Sequence, residues 1–172
     1  MKNIGWKLGY LVAAGAVFLL DQASKAWAVQ RLKFGGDIDV IPGFLNFAYA
    51  TNTGVAFSMF AGNGDSGRWI LSGLAMFASA LVLYFFWRTP RGDDRILGAL
   101  SLLLAGILGN VIDRLRLGYV VDFIDVQFGS WHYPTFNVAD IAICTGAGLL
   151  ILDMILRKDP QPDEDATEIE VE

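Results

Sequence analysis

The stretch Phe136–Leu156, FNVADIAICTGAGLLILDMIL, carries no charge apart from Asp140 near its start and Asp153 near its end. A hydrocarbon core of about 30 Å is crossed by about 20 predominantly apolar residues, so this run is long enough to span a bilayer. A carboxylate at the edge of the hydrocarbon costs roughly 2.5–3.5 kcal/mol on insertion scales and points to function when it is retained. A second acid, Asp122, lies in the equally apolar Val120-Val121-Asp122-Phe123-Ile124. Two such carboxylates flanking a short connection suggest a pair that shares one proton and activates a water.

The rest of the chain agrees with a membrane setting. Of its 172 residues 54% are hydrophobic and 18% charged, and the mean hydropathy is +0.45, too apolar for a soluble domain of this size. Four apolar runs are expected to span, at about residues 8–28, 69–87, 96–112 and 136–156. The expected fold is therefore a mainly α membrane protein, a four-transmembrane-helix bundle. Between the first two spans Ile38–Ile41, Phe44–Ala50 and Val55–Phe60 are rich in aromatic and β-branched residues. Pro42-Gly43 and Asn52-Thr53-Gly54 punctuate them as turns. That composition predicts a small β-sheet at about residues 38–60, lying on the outer, periplasmic, membrane surface.

Charge orients the chain. Lys2, Lys7, Arg88, Arg91, Arg95, Arg157 and Lys158 fall on one side of the spans, against Arg31, Lys33, Arg68, Arg114 and Arg116 on the other. The bias predicts both termini cytoplasmic. The net charge of −5 comes from Asp159–Glu172, which holds seven acids and no base. This block reads as a disordered cytoplasmic tail beyond a single domain over 1–158, and it gives no ground for nucleic-acid binding. Met1–Leu20 and Ala26-Trp27-Ala28 mimic a cleavable leader, but Asp21 and Lys25 favour an uncleaved first span. Spaced i to i+4, these two can pair while Lys25 snorkels outward. The lone Cys144 reads as a small buried apolar residue, excluding an intramolecular disulfide. No His/Cys/Glu cluster has metal-ligand spacing, and His132 reads as a loop residue.

On a helix Asn110, Asp113 and Arg114 share a face, as do Asn137 and Asp140. The small pairs Ala105/Gly109 and Ala142/Gly146 would let the third and fourth spans approach closely, so that these polar faces meet. The loop Leu115–Thr135 would then return Asp122 to the same place, with Asp113–Arg114 as a candidate ion pair. Pro134 and Asn137, rather than Asp140, mark the start of the last helix. From residues alone, a proton-conducting transporter and a non-enzymatic scaffold stand beside a hydrolase. A conduction path would need acids through the depth of the bilayer, whereas these cluster at one edge.

Five blocks taken together resemble the lipoprotein signal peptidases, or signal peptidase II. They are Asp21-Gln22-Ala23-Ser24-Lys25, Asn52-Thr53-Gly54-Val55-Ala56-Phe57, Gly109-Asn110-Val111-Ile112-Asp113-Arg114, Val120-Val121-Asp122-Phe123-Ile124 and Phe136-Asn137-Val138-Ala139-Asp140. The resemblance covers the chain to about Leu156. It implies a multi-pass aspartic endopeptidase of the bacterial inner membrane, with its site near the periplasmic face. Such an enzyme cuts the signal peptide from prolipoproteins on the amino side of a diacylglyceryl-modified cysteine. Asp122 and Asp140 match the catalytic pair of that family. Asn52, Gly54, Asn110, Asp113, Arg114 and Asn137 match its substrate-binding or supporting residues, and Asp21 and Lys25 its first-span motif. Neither metal nor cofactor is implied. The expected partners are the lipid-modified precursors and membrane lipids, and the chain is expected to act as a monomer.

Overall fold

The computed structural model describes residues 5–54 and 66–156. The third expected strand, Val55–Phe60, and the acidic tail lie outside the described residues. A 3-10 turn at Gly5–Lys7 leads into four long helices, α1 (Leu8–Arg31), α2 (Ser66–Arg88), α3 (Asp94–Leu117) and α4 (Val138–Leu156). Strands β1 (Ile38–Ile41) and β2 (Leu45–Asn52) follow α1, and β3 (Val120–Phe128) and β4 (Trp131–His132) follow α3.

Three helices, α2, α3 and α4, are long and apolar enough to cross a membrane by length and composition. The 24-residue α1 carries Asp21, Gln22 and Lys25 in its second half, which lowers its hydropathy. α3 is the central helix, packed against α1, α2 and α4, and most of its apolar window is buried. α2 and α4 instead turn large apolar side chains outward, among them Leu74, Phe77, Phe85, Ile151 and Ile155. Such a surface is solvated by lipid tails rather than water. Cys144 is on this outward side of α4, not buried as the sequence suggests, because the adjacent Ala142 and Gly146 take the packed positions.

Small residues set the α3–α4 approach. A Cβ on Gly146 would lie 2.7 Å from the Ala99 carbonyl oxygen and 2.9 Å from the Leu103 side chain. Ala105, Gly109 and Ala142 are buried as well. At one end of the bundle Lys7 ties α1 to α2: its Nζ donates to the carbonyls of Phe86, Trp87 and Thr89 at 2.6, 3.0 and 2.9 Å. These oxygens close α2, where a cation is favoured. Phe86, Leu97 and Leu100 form an apolar cluster beside it. At the opposite end Arg68, at the start of α2, donates to Leu115 O in the last turn of α3. That helix stops at Gly118, whose φ of 88° is left-handed.

The sheet departs from expectation. Among the described residues it is four-stranded and antiparallel, in the order β1-β2-β3-β4, with β3 and β4 coming from the segment between α3 and α4. Asp122 therefore sits on a strand, not a loop. Val121 and Phe123 pack with Ala28 and Leu32 under the sheet; burial of that strand face overrides the loop reading. In β2, Ala50 pairs with Asp122 and Asn52 with Val120. Past β4, Phe136 pairs with Ile124 and delivers the chain to α4.

Substituting Gly146→Leu is expected to destabilise the fold by roughly 1–3 kcal/mol through overpacking. Gly148→Leu, where an added Cβ meets nothing within 4 Å, is expected to change stability by less than about 0.5 kcal/mol. Thermal unfolding of both variants in one detergent checks this.

Candidate active site

Two local devices deliver the carboxyls. Asn137 caps α4: its Oδ1 accepts from Asp140 N at 3.0 Å, and Asp140 Oδ2 accepts from Asn137 N at 3.2 Å. This reciprocal capping box satisfies two helix-end donors and fixes the Asp140 side chain. Asp122 is fixed by its strand. Phe123 N and Ile124 N both donate to Phe136 O, at 3.1 and 2.9 Å, and Phe136 N returns a bond to Ile124 O.

Asn137 is the joint between them. Its Nδ2 donates to Asp122 Oδ1 at 2.6 Å and lies 3.3 Å from both Val121 O and Asn110 Oδ1. Asn110 Nδ2 in turn donates to Asp140 Oδ1 at 2.8 Å. One residue thus touches both carboxyls, Asp122 through its side chain and Asp140 through its backbone N–H. The Asn52 side chain adds a further hydrogen bond to Asp122. Gly54 enters through its backbone: its N–H donates to Asn52 Oδ1 at 2.9 Å, with φ at +80°. That turn sets the Asn52 side chain in place.

Behind this pair lies a buried ion cluster. Lys25 Nζ is 2.9 Å from Asp21 Oδ2, 3.1 Å from Asp113 Oδ2 and 2.9 Å from Asn110 Oδ1. Lys25 and Asp21 are 3% and 1% exposed. The i to i+4 pair thus forms, but Lys25 turns inward instead of snorkelling, because three acceptors await it there. Asp21 Oδ1 accepts from Ala139 N at 2.8 Å, and Asp113 Oδ2 from Val121 N at 3.1 Å.

The expected Asp113–Arg114 ion pair gives way to Asp113–Lys25. Asp113 faces α1 on the buried side of α3, while Arg114, the next residue, is turned away and half-buried. Arg114 Nη1 reaches Asn110 O at 3.4 Å, and its Nε is buried with no partner among the described residues.

Gln22 was not singled out from sequence, though its place between Asp21 and Lys25 was the available signal. Its Nε2 lies 3.1 Å from Asp21 Oδ2, 3.2 Å from Gly109 O and 3.2 Å from Asp113 Oδ1. A cleft of about 220 Å³ opens onto Gln22, Lys25, Asp113 and Arg116 between α1 and α3. Among the described residues no group of His, Cys, Asp or Glu is arranged to hold a metal ion.

Burial and the neighbouring Asp140 charge push Asp122 up to about 6, against the opposing hydrogen bonds of Asn52 and Asn137 and the charge of Lys25. A carboxyl of this kind, hydrogen-bonded to the same residue as its neighbour, is suited to donating a proton near neutrality.

Known proteins resemble this chain over most of its length. The sequence profile described as Signal peptidase (SPase) II matches residues 13–156. Lipoprotein signal peptidase of Alteromonas mediterranea is 38% identical over 161 residues, 94% of this chain and 88% of that one. Its counterpart in Polynucleobacter necessarius is 44% identical over 151 residues, covering 88% and 91% of the two chains. A solved structure, a bacterial membrane enzyme determined by the in meso method at 1.9 Å resolution, superposes with a TM-score of 0.76. It is 32% identical and covers 91% of this chain and 96% of its own. The class so defined is a membrane aspartyl peptidase with apolar spanning helices. More narrowly, the chain belongs to the signal peptidase II family.

Two outcomes follow from the site's electrostatics. Lys25→Met, which leaves Asp21 and Asp113 buried without their cation, is expected to cost about 3–5 kcal/mol, read as a lowered midpoint of thermal unfolding. Asp122→Asn acts in the opposite direction. Between the ordinary carboxyl value of 3.8 and about 6, the folded state holds a proton that the unfolded chain has released. Stability therefore falls as pH rises through this window. Removing the titrating group should stabilise the protein by roughly 1–3 kcal/mol above pH 6, with variant and wild type converging below pH 4. Melting curves at both pH values measure the difference.

Proposed function

We propose that this peptidase cleaves the signal peptide from diacylglyceryl-modified prolipoproteins on the amino side of the lipidated cysteine, with Asp122 and Asp140 activating water. The observation that carries the reading is that Asn137 is joined to both carboxyls, to Asp122 through its side-chain Nδ2 and to Asp140 through its backbone N–H. Membership of the signal peptidase II family supplies the substrate class.

The roles divide by environment. Asp122, with its affinity for protons raised, holds the proton. Asp140 accepts from Asn110 and from Asn137 N and serves as the ionised base. In the reaction Asp140 takes a proton from water as the water oxygen attacks the scissile carbonyl carbon. Asp122 gives its proton to the carbonyl oxygen. The tetrahedral species then collapses: the C–N bond breaks, the leaving nitrogen takes the proton held by Asp140, and a hydroxyl proton returns to Asp122. One water is consumed, and a carboxylic acid and an amine are released. Arg114 is not needed to orient Asp113, which Lys25, Gln22 and Val121 N already hold. Its guanidinium, whose Nε has no partner among the described residues, is assigned to a substrate carbonyl. Asp21, Lys25, Asn110 and Asp113 are positioning residues. Asn52 and Gly54 border the substrate path, where an extended signal segment could add to the sheet.

Four helices, α1 included, are placed across the bacterial inner membrane, with both termini cytoplasmic and the dyad near the periplasmic face. Lys7, Arg88, Arg91 and Arg95 at the end of the bundle opposite the sheet support this orientation. The clustering of Asp21, Asp113, Asp122 and Asp140 in one network fits a hydrolase and not a relay across the bilayer. The chain is assigned as a monomer that meets its lipidated substrate from within the bilayer.

Purified enzyme in liposomes is expected to cleave a diacylglyceryl precursor and to lose at least about 10³-fold in kcat in Asp122→Asn and in Asp140→Asn. The precursor without diacylglycerol should be cut poorly. Near wild-type cleavage by either variant would rule out the dyad, and equal cleavage of both precursors would rule out recognition of the lipid.

A further inference from the structure

Both turns at the far end of the sheet lack charge and are crowded with exposed apolar side chains. From Val40 to Tyr49, and again from Val126 to Phe136, the sequence holds no Asp, Glu, Lys or Arg. Although distant in the chain, the two stretches are joined by register. Leu45 pairs with Val126, and Gln127 N donates to Phe44 O at 2.9 Å. Their rings touch in series: Phe44 against Phe128 at 5.6 Å, Phe128 stacked on Trp131 at 5.9 Å, Trp131 against Tyr133 at 6.1 Å and Tyr133 against Phe136 at 5.9 Å. Yet Val40, Ile41, Phe44, Phe128, Trp131 and Tyr133 remain 43–57% exposed.

A contiguous apolar patch marks an interaction surface, and the composition of this one selects lipid. Amphipathic Trp and Tyr rings concentrate at the headgroup level of bilayers. A lack of acids and bases is what partial entry into the hydrocarbon boundary requires. The patch also continues through Phe136 into α4, whose outward apolar side begins at Ile141. Asp125 and Asn46 are buried beneath it and the exposed His132 turns toward them: its Nδ1 is 3.0 Å from both Asp125 oxygens, and Asn46 Nδ2 is 3.3 Å from Asp125 Oδ2.

We propose that the two turns bearing Val40, Ile41, Phe44, Phe128, Trp131 and Tyr133 enter the headgroup–acyl boundary of the bilayer on the side where α4 begins. This attachment holds β3, and with it Asp122, at a fixed height above the acyl chains, where a lipid-anchored bond is presented. The inference rests on the reading that the helices cross the bilayer, but not on the peptidase chemistry. A fluorescence result and a cleavage result can therefore fail separately.

The test places the full chain in phosphatidylcholine vesicles and obtains the Trp131 emission as the difference between wild type and Trp131→Phe. That emission should be largely lost in vesicles whose lipids are brominated near the glycerol end of the acyl chain, and unchanged by iodide in the water. A nitroxide on Ser130→Cys in a Cys144→Ala background should collide with oxygen more than with a water-soluble nickel complex. Quenching by iodide and not by bromine would overturn the proposal. Shielding from both would mean that a second copy of the chain covers the tip, and would overturn it equally.

Discussion

A buried lysine ammonium, held by two carboxylates and an amide oxygen, organises this site. An isolated buried cation would cost several kcal/mol, and only close partners with their remaining valences filled offset that cost. Lys25 has them in Asp21, Asp113 and Asn110. Each partner also reaches an element that carries Asp122 or Asp140. Asp21 binds the N–H of Ala139, one residue before Asp140, and Asp113 binds the N–H of Val121, one residue before Asp122. Asn110 donates directly to Asp140. The cluster has one more carboxylate than cation. Backbone N–H groups in the first turn of α4, where a helix favours negative charge, and in β3 meet that excess.

Two carboxyls on different elements must keep a common geometry, and rigid supports make this workable. Asp140 is fixed within its own helix by the Asn137 capping box, so its position follows that of α4. Asp122 rides on β3, which is fixed by Phe136 on one side and β2 on the other. The stretch Phe136-Asn137 belongs to both arrangements. Its backbone completes the β3 edge and its next residue caps α4, so the strand and the helix cannot drift apart independently. Gly109 makes room for this: a Cβ there would meet Asp21 Oδ2 at 2.5 Å and Ala139 Cβ at 3.3 Å.

Much of the helical framework was legible in the chain. Hydropathy found the long apolar runs, and the short-range signals at Pro134 and Asn137 found the start of α4 within a residue. Strand β1 and most of β2 followed from β-branched and aromatic composition. Less legible were features decided by partners far away in sequence. Val120–Phe128 joins the sheet because β2 offers an edge and Ala28 and Leu32 offer a floor, and neither is local to it. Lys25 turns inward because Asp113 and Asn110 stand more than eighty positions later in the chain. Gln22 was passed over because an amide carries no pattern until its acceptors are placed around it. The polar residues shared faces by spacing alone, but which of them met was a matter of tertiary packing.

The central claim is that Asp122 and Asp140, both bonded by Asn137, hold a single proton and that it sits on Asp122. Infrared titration of the carboxylic acid C=O stretch in the lipid-embedded protein addresses it directly. The account predicts a protonated carboxyl band that disappears with a midpoint of about 6, is missing from Asp122→Asn and persists in a variant altered at the exposed Asp39. A protein showing no protonated carboxyl at pH 5, or a band that survives the loss of Asp122, would contradict it.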